Sequence, residues 1–166
     1  MARRIEAGLQ RRGVTCIAEL LDDVAPRTCQ AVWDALPLRS QVYHGKYARN
    51  EIYSLTPSFA AREPGLENPT ITPARGDVMY FCFQAGQLHT RSHGYLDEGG
   101  SEDPQELIID LALFYERNNL LLNPDTGFVP GSVFATITEG LEEMAAAAQD
   151  LWFRGVEGEQ LSFTRL

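Results

Sequence analysis

The chain has little cysteine, a single lysine (Lys46), few histidines and no long apolar run. The three cysteines, Cys16, Cys29 and Cys82, are odd in number and spaced for neither a zinc site nor a disulfide framework, so reduced thiols and a cytoplasmic location are expected. No stretch approaches the roughly 18 apolar residues of a transmembrane helix, and no membrane partner is expected. The first residues, MARRIEAGLQRRGVTC, lack the apolar segment of a secretory signal. Basic residues are outnumbered: 14 Lys and Arg stand against 23 Asp and Glu, a formal net charge of −9. Such a field repels a polyanion and argues against a nucleic-acid partner. Nucleophile-elbow serine, P-loop and dinucleotide fingerprints are all missing, and no cofactor is expected.

What is present suits one globular domain over residues 1–166. Hydrophobic residues make up 44% and charged residues 22%, enough apolar side chain for a core. Arg3 to Leu9 and Val14 to Leu21 alternate apolar and polar around Arg11-Arg12-Gly13, the pattern of a β-hairpin. The periodicity predicts a helix over residues 26–36, with Pro26 in its first turn, an apolar stripe of Cys29, Val32, Trp33 and Leu36, and Pro37 as its stop. A second helix is predicted over 139–153 on Leu141, Met144, Ala145, Ala148, Leu151 and Trp152, with Glu139, Glu142 and Glu143 at its positive end.

Gln41 to Tyr53 reads as one or two strands, with Gly45 marking a bulge or a close backbone approach. Residues 56–76 form a long loop holding four of the nine prolines. DVMYFCF (77–83), VFATIT (133–138) and EQLSFTR (159–165) read as strands, the last able to pair with the first. Gln87 to Tyr95 is a further strand candidate, and 97–103 an acidic loop. ELIIDLAL (106–113) fits helix or strand, and its surroundings favour strand. The fold class expected is mainly β: a closed, antiparallel barrel of about eight strands with a helix capping each open end.

Two passages resemble cyclophilins, in the same order: ELLDDVAPRTCQAVWDALP (19–37) and SVFATITEGLEEMAAAA (132–148). HGKYARNEIY, ENPTITPARGDVMYF, FYERNNLL and VPGSVFATITEG resemble a bacterial cyclophilin-like family of unknown function, domain of unknown function 3830. The resemblance implies a cyclophilin-like barrel and no established activity. In cyclophilins an arginine follows an aromatic–His pair and holds the prolyl nitrogen. Here Tyr43-His44 is followed by Gly45, which disfavours the alternative of a peptidyl-prolyl cis-trans isomerase.

The richest polar constellation is QVYHGKYARNEIY. A bulge at Gly45 would bring His44 to the side of Tyr47, Arg49, Glu51 and Tyr53. The functional reading is a cleft with His44 as candidate acid–base group and Arg49 holding a carboxylate; the plain one is an exposed strand face with an Arg49–Glu51 pair. Tyr80 is a candidate cleft residue on its strand, as are Tyr115, Arg117 and Asn118 at a strand end. His89 and His93 share a strand face but lack a third ligand, so no metal site is expected. The reading is a domain binding a small ligand, anionic or peptide-like, in a surface cleft. Whether it is an enzyme stays open, and a self-associating, homo-oligomeric interaction domain is the remaining alternative.

Overall fold

The computed structural model describes residues 2–84, 87–88 and 105–166. In chain order the elements are β1 (Arg4–Leu9), β2 (Val14–Leu20), α1 (Pro26–Ala35), β3 (Leu38–His44), β4 (Glu51–Pro57), β5 (Pro69–Thr70), β6 (Asp77–Gln84), β7 (Leu107–Phe114), β8 (Leu122–Asn123), β9 (Gly127–Phe128), β10 (Gly131–Glu139), α2 (Leu141–Arg154) and β11 (Gln160–Arg165). Strand neighbours run β2-β1-β11-β3-β4-β7-β6-β10, and β10 pairs back onto β2. Every pairing is antiparallel, so these eight strands close into a barrel with no free edge among them. β5 adds a short rung to β10, and β8–β9 form a separate small hairpin.

Alternation places the core. In β1, Ile5, Ala7 and Leu9 point inward; in β2, Cys16, Ala18 and Leu20 do the same, and Gly13 turns the hairpin at φ 62°. β11 pairs with β1 as the sequence suggests, placing Leu161 and Phe163 beside them. α1 inserts Cys29 and Val32, and α2 inserts Met144, Ala147, Ala148 and Leu151, into the same interior. The ambiguous run 106–113 is the strand β7, with Ile109, Leu111 and Leu113 inside the barrel.

Two helical expectations shift. α2 begins at Leu141 because Gly140, at φ 75°, turns the chain out of β10. Glu139 therefore ends a strand, while Glu142 and Glu143 occupy the first turn. Trp152 is 58% exposed instead of lying on the buried stripe, its ring 5.0 Å from that of His44.

A second, smaller apolar cluster lies on the outer wall. Tyr53, Met79, Phe81, Ala112, Phe114 and Val133 face away from the interior, and Ala48 and Leu121 from flanking loops cover them. β7 is thus apolar on both faces, which removes the period-2 signal from its sequence.

α1 carries no cap of its own: Ala25 precedes it without a side-chain hydrogen bond. The cap comes from the proline-rich loop. The Glu67 carboxylate accepts the Arg27 amide (3.3 Å), the Thr28 amide (2.7 Å) and the Thr28 hydroxyl (2.8 Å). Burial works to raise this carboxyl, but the Thr28 and Arg27 donors outweigh it and hold it below the usual range. Pro26 leaves no amide to satisfy at the first position. Glu67→Ala is expected to cost about 1–2 kcal/mol in urea unfolding, the usual worth of an N-cap. A lowered carboxyl stabilises above its unfolded-state range and loses that effect as pH falls through its folded value, so wild type and variant converge in acid.

Candidate functional site

A cleft of about 590 Å³ opens on the outer wall of β4, β7 and β6. Three loop segments enclose it: residues 45–48 between β3 and β4, residues 63–66 of the proline-rich loop, and residues 121–130 carrying the β8–β9 hairpin. Tyr47, Tyr53, Phe81, Phe83 and Phe128 supply aromatic lining, and Glu51 and Asp110 supply buried acid.

The segment 41–53 is a hairpin, with β3 returning as β4 through a loop over residues 45–50. The expected bulge at Gly45 is therefore a loop entry, where the Gly45 amide donates to the Glu51 carbonyl at 2.8 Å. Glycine is needed for approach: a Cβ here would lie 2.5 Å from Glu51 Oε2. The hairpin sends His44 and Glu51 to different surroundings. Glu51 faces the cleft with Tyr53, two residues on along β4.

His44 does not line the cleft. Its Nδ1 donates to the Gly45 carbonyl (3.0 Å), which leaves Nε2 to accept the Tyr115 hydroxyl (2.7 Å). Burial lowers its pKa, so the ring is neutral at neutral pH. Packed beside Trp152 of α2, it is a post between β3, β7 and the helix.

The other residues singled out from sequence divide similarly. Tyr47, Glu51, Tyr53 and Tyr80 line the cleft. Arg49 and Asn118 line an adjoining depression of about 360 Å³, which shares Tyr47 and Leu122 with it. Both have positive φ, 78° and 69°. Tyr115 is engaged with His44, and Arg117 lines neither space; its carbonyl accepts Asn50 Nδ2 at 2.9 Å. The structure does not bring His44, Arg49 and Arg117 onto one pocket. His89 and His93 lie outside the described residues, as do the acidic loop 97–103 and most of the strand suggested over 87–95. Among the described residues, no group of three or more His, Cys, Asp or Glu side chains could hold a metal ion.

Asp110 is the residue that sequence reasoning missed. It stands in LIIDLALF, between Leu55 of β4 and Phe81 of β6 in register. One acid in an otherwise apolar strand was the available signal. Asp110 is 7% exposed and Glu51 8%. Burial raises both carboxyls far above the usual range, and the Glu51 charge raises Asp110 further. Asp110 Oδ1 has no hydrogen-bond partner among the described residues. Nearby, the Tyr80 hydroxyl donates to Glu63 Oε2 at 2.5 Å, and Glu63 Oε1 accepts Ser58 Oγ at 2.7 Å. Chemically, the pair is a proton-holding centre inside aromatic walls, with Lys46 the basic side chain at the lining among the described residues.

These buried acids set a pH dependence. A carboxyl that stays protonated when folded but ionises when unfolded carries no penalty in acid. The penalty then grows as pH rises from the usual carboxylate range toward its raised folded value. Asp110→Asn, which keeps the shape without the charge, is expected to stabilise the fold by about 1–3 kcal/mol near pH 8 and by much less at pH 4. Thermal melts of both proteins across that range check it.

Among the described residues, no helix is long and apolar enough to cross a membrane. The solved structure of McbB in complex with tryptophan is similar in fold, with TM-score 0.59, 16% identity, and 97% of this chain covered. This chain spans 44% of the length of McbB. The solution structure of the hypothetical protein AF2241 from Archaeoglobus fulgidus is also similar, with TM-score 0.52, 21% identity, and 99% of this chain and 95% of that one covered. A search of the curated proteins found no match. A family model described as "Protein of unknown function (DUF3830)" matches residues 7–163, and the chain belongs to that family.

Proposed function

We propose that this barrel binds a small organic ligand with a planar, apolar body in the cleft over β4, β7 and β6. The observation that carries the reading is the lining: Tyr47, Tyr53, Phe81, Phe83 and Phe128 around about 590 Å³, with two buried carboxyls among them. A volume of this order is typical of small-molecule sites, which pair apolar walls with a few convergent polar groups. Phe128 stands 60% exposed at the rim, where a ligand would cover it. McbB is known with tryptophan bound, which supports a small ligand for a barrel of this fold.

The sequence led to an expected anionic ligand, with Arg49 holding its carboxylate. The acidic lining favours a ligand without net negative charge instead. The peptide-like alternative keeps no specific support. For a prolyl isomerase, the position after Tyr43-His44 would need a side chain, and Glu51 fills that space against Gly45.

Thermal-shift screening with planar aromatic compounds tests the proposal. At least one class is expected to raise the melting temperature in a dose-dependent way. Phe128→Ala is expected to weaken that ligand about three- to tenfold, the worth of one aromatic contact, with little change in the melting temperature of the free protein. A panel without any stabilising compound, or a ligand indifferent to Phe128→Ala and Tyr47→Ala, would remove the cleft as its site.

A further inference from the structure

We infer that the ligand of this cleft is a small arylalkylamine, its amine on an alkyl carbon and held as its ammonium by Glu51 and Asp110, with its ring between the aromatic walls. The inference rests on the cleft being a ligand site and adds the chemical class.

Three observations lead to it. First, the molecule treats its buried carboxylates in two different ways. Glu159 accepts the amides of Arg11 (2.8 Å), Arg12 (3.1 Å) and Gln160 (2.9 Å) and pairs with the Arg12 guanidinium at 3.1 Å. Glu67 is saturated by Arg27 and Thr28. Asp110, by contrast, is buried with Oδ1 unpartnered among the described residues, and it lines the cavity. A buried carboxyl oxygen left without a partner is unfavourable, so a donor entering through the cleft recovers that energy. An ammonium brings three donors.

Second, the sign of the lining fits a cation. Among the described residues, Glu51, Glu63 and Asp110 contribute acid, while Lys46 is the basic group there and is exposed on its loop. Third, Tyr47, Tyr53, Phe81, Phe83 and Phe128 line the cleft, and aromatic rings around a site that excludes water also favour an amine's charge. Among the described residues, a bare divalent ion would lack the set of oxygens it demands, and it would gain nothing from those walls.

Binding is coupled to protons. Among the described residues, the other titratable groups at the cleft are Lys46, Tyr47, Tyr53, Glu63, Tyr80 and Cys82. Burial raises Tyr80 and Cys82, and Glu63 raises them further, so both stay protonated at neutral pH. The Glu51–Asp110 pair therefore provides the exchange. It holds its protons in the free protein, and accepting an ammonium requires one carboxyl to ionise, releasing one proton to solvent. The amine keeps its own proton.

Titration calorimetry with 2-phenylethylamine, 2-phenylethanol and 3-phenylpropionate tests this, in buffers of different ionisation heat. The amine is expected to bind at least about tenfold tighter than the alcohol, with the propionate weakest. Amine affinity is expected to rise about tenfold from pH 6 to pH 7, the linkage of one proton, with about one proton released per amine. Asp110→Asn and Glu51→Gln are each expected to lose the preference for amine over alcohol while still binding the alcohol; two variants guard against one failing to fold. Equal binding of amine and alcohol, or a flat pH profile with no proton released, would overturn the amine assignment and leave the cleft as a ligand site. Absence of binding by all three, together with a blank screen of planar compounds, would overturn the site itself.

Discussion

The structure depends on β7 being buried on both faces. Its inward residues Ile109, Leu111 and Leu113 fill the barrel, while Ala112 and Phe114 face outward into the cluster with Tyr53, Met79 and Phe81. A barrel wall facing water would stop at the first set. Here the outer wall is apolar and needs cover, and the loops 45–50 and 118–130 supply it through Ala48 and Leu121. Where those loops and the proline-rich segment do not meet, the cleft remains. The cleft is therefore a consequence of a strand that cannot be left exposed.

Asn119 shows how the cover is held. Its Oδ1 accepts the Asn50 amide at 3.1 Å, and its Nδ2 donates to the carbonyls of Pro73 (3.1 Å) and Glu116 (2.6 Å). The segment ERNN thus ties the β3–β4 loop and the proline-rich loop to the end of β7. Glu67 does the same from the other side, fixing the proline-rich loop by capping α1. Of the polar residues marked in sequence as ligand contacts, His44 and Tyr115 brace the frame through their mutual hydrogen bond, while Tyr47, Glu51, Tyr53 and Tyr80 line the cleft. The acids that sit within that frame, Glu51 and Asp110, are left energetically unfavourable. Local instability of this kind, inside an otherwise satisfied structure, is where function is commonly found.

Several elements were legible because their signal is local. The β1–β2 hairpin follows from alternation around Gly13, α1 from an apolar stripe between Pro26 and Pro37, and closure from the shortage of helices to cover an open sheet. Tyr47, Glu51, Tyr53 and Tyr80 were marked as cleft residues because charged and aromatic side chains crowd the segment around β4 and the strand β6. The direction of His44 was not legible. Whether 41–53 bulges or folds back as a hairpin changes which face His44 occupies, and one residue of register decides it. Trp152 fits an apolar stripe by spacing alone, yet it is exposed in the fold, with its ring beside that of His44.

What the sequence determined by itself was the set of amphipathic segments and the acidic character of the surface, since both are properties of neighbouring residues and of summed charge. What only the tertiary structure decided was the meaning of Asp110. In sequence it is a single acid interrupting an apolar run. In the folded chain the antiparallel register sets it between Leu55 and Phe81, on the same buried wall as Glu51. Its altered chemistry comes from removal of water and from the charge of a residue far away in the chain. Both exist only once the strands have paired and the loops have closed over them.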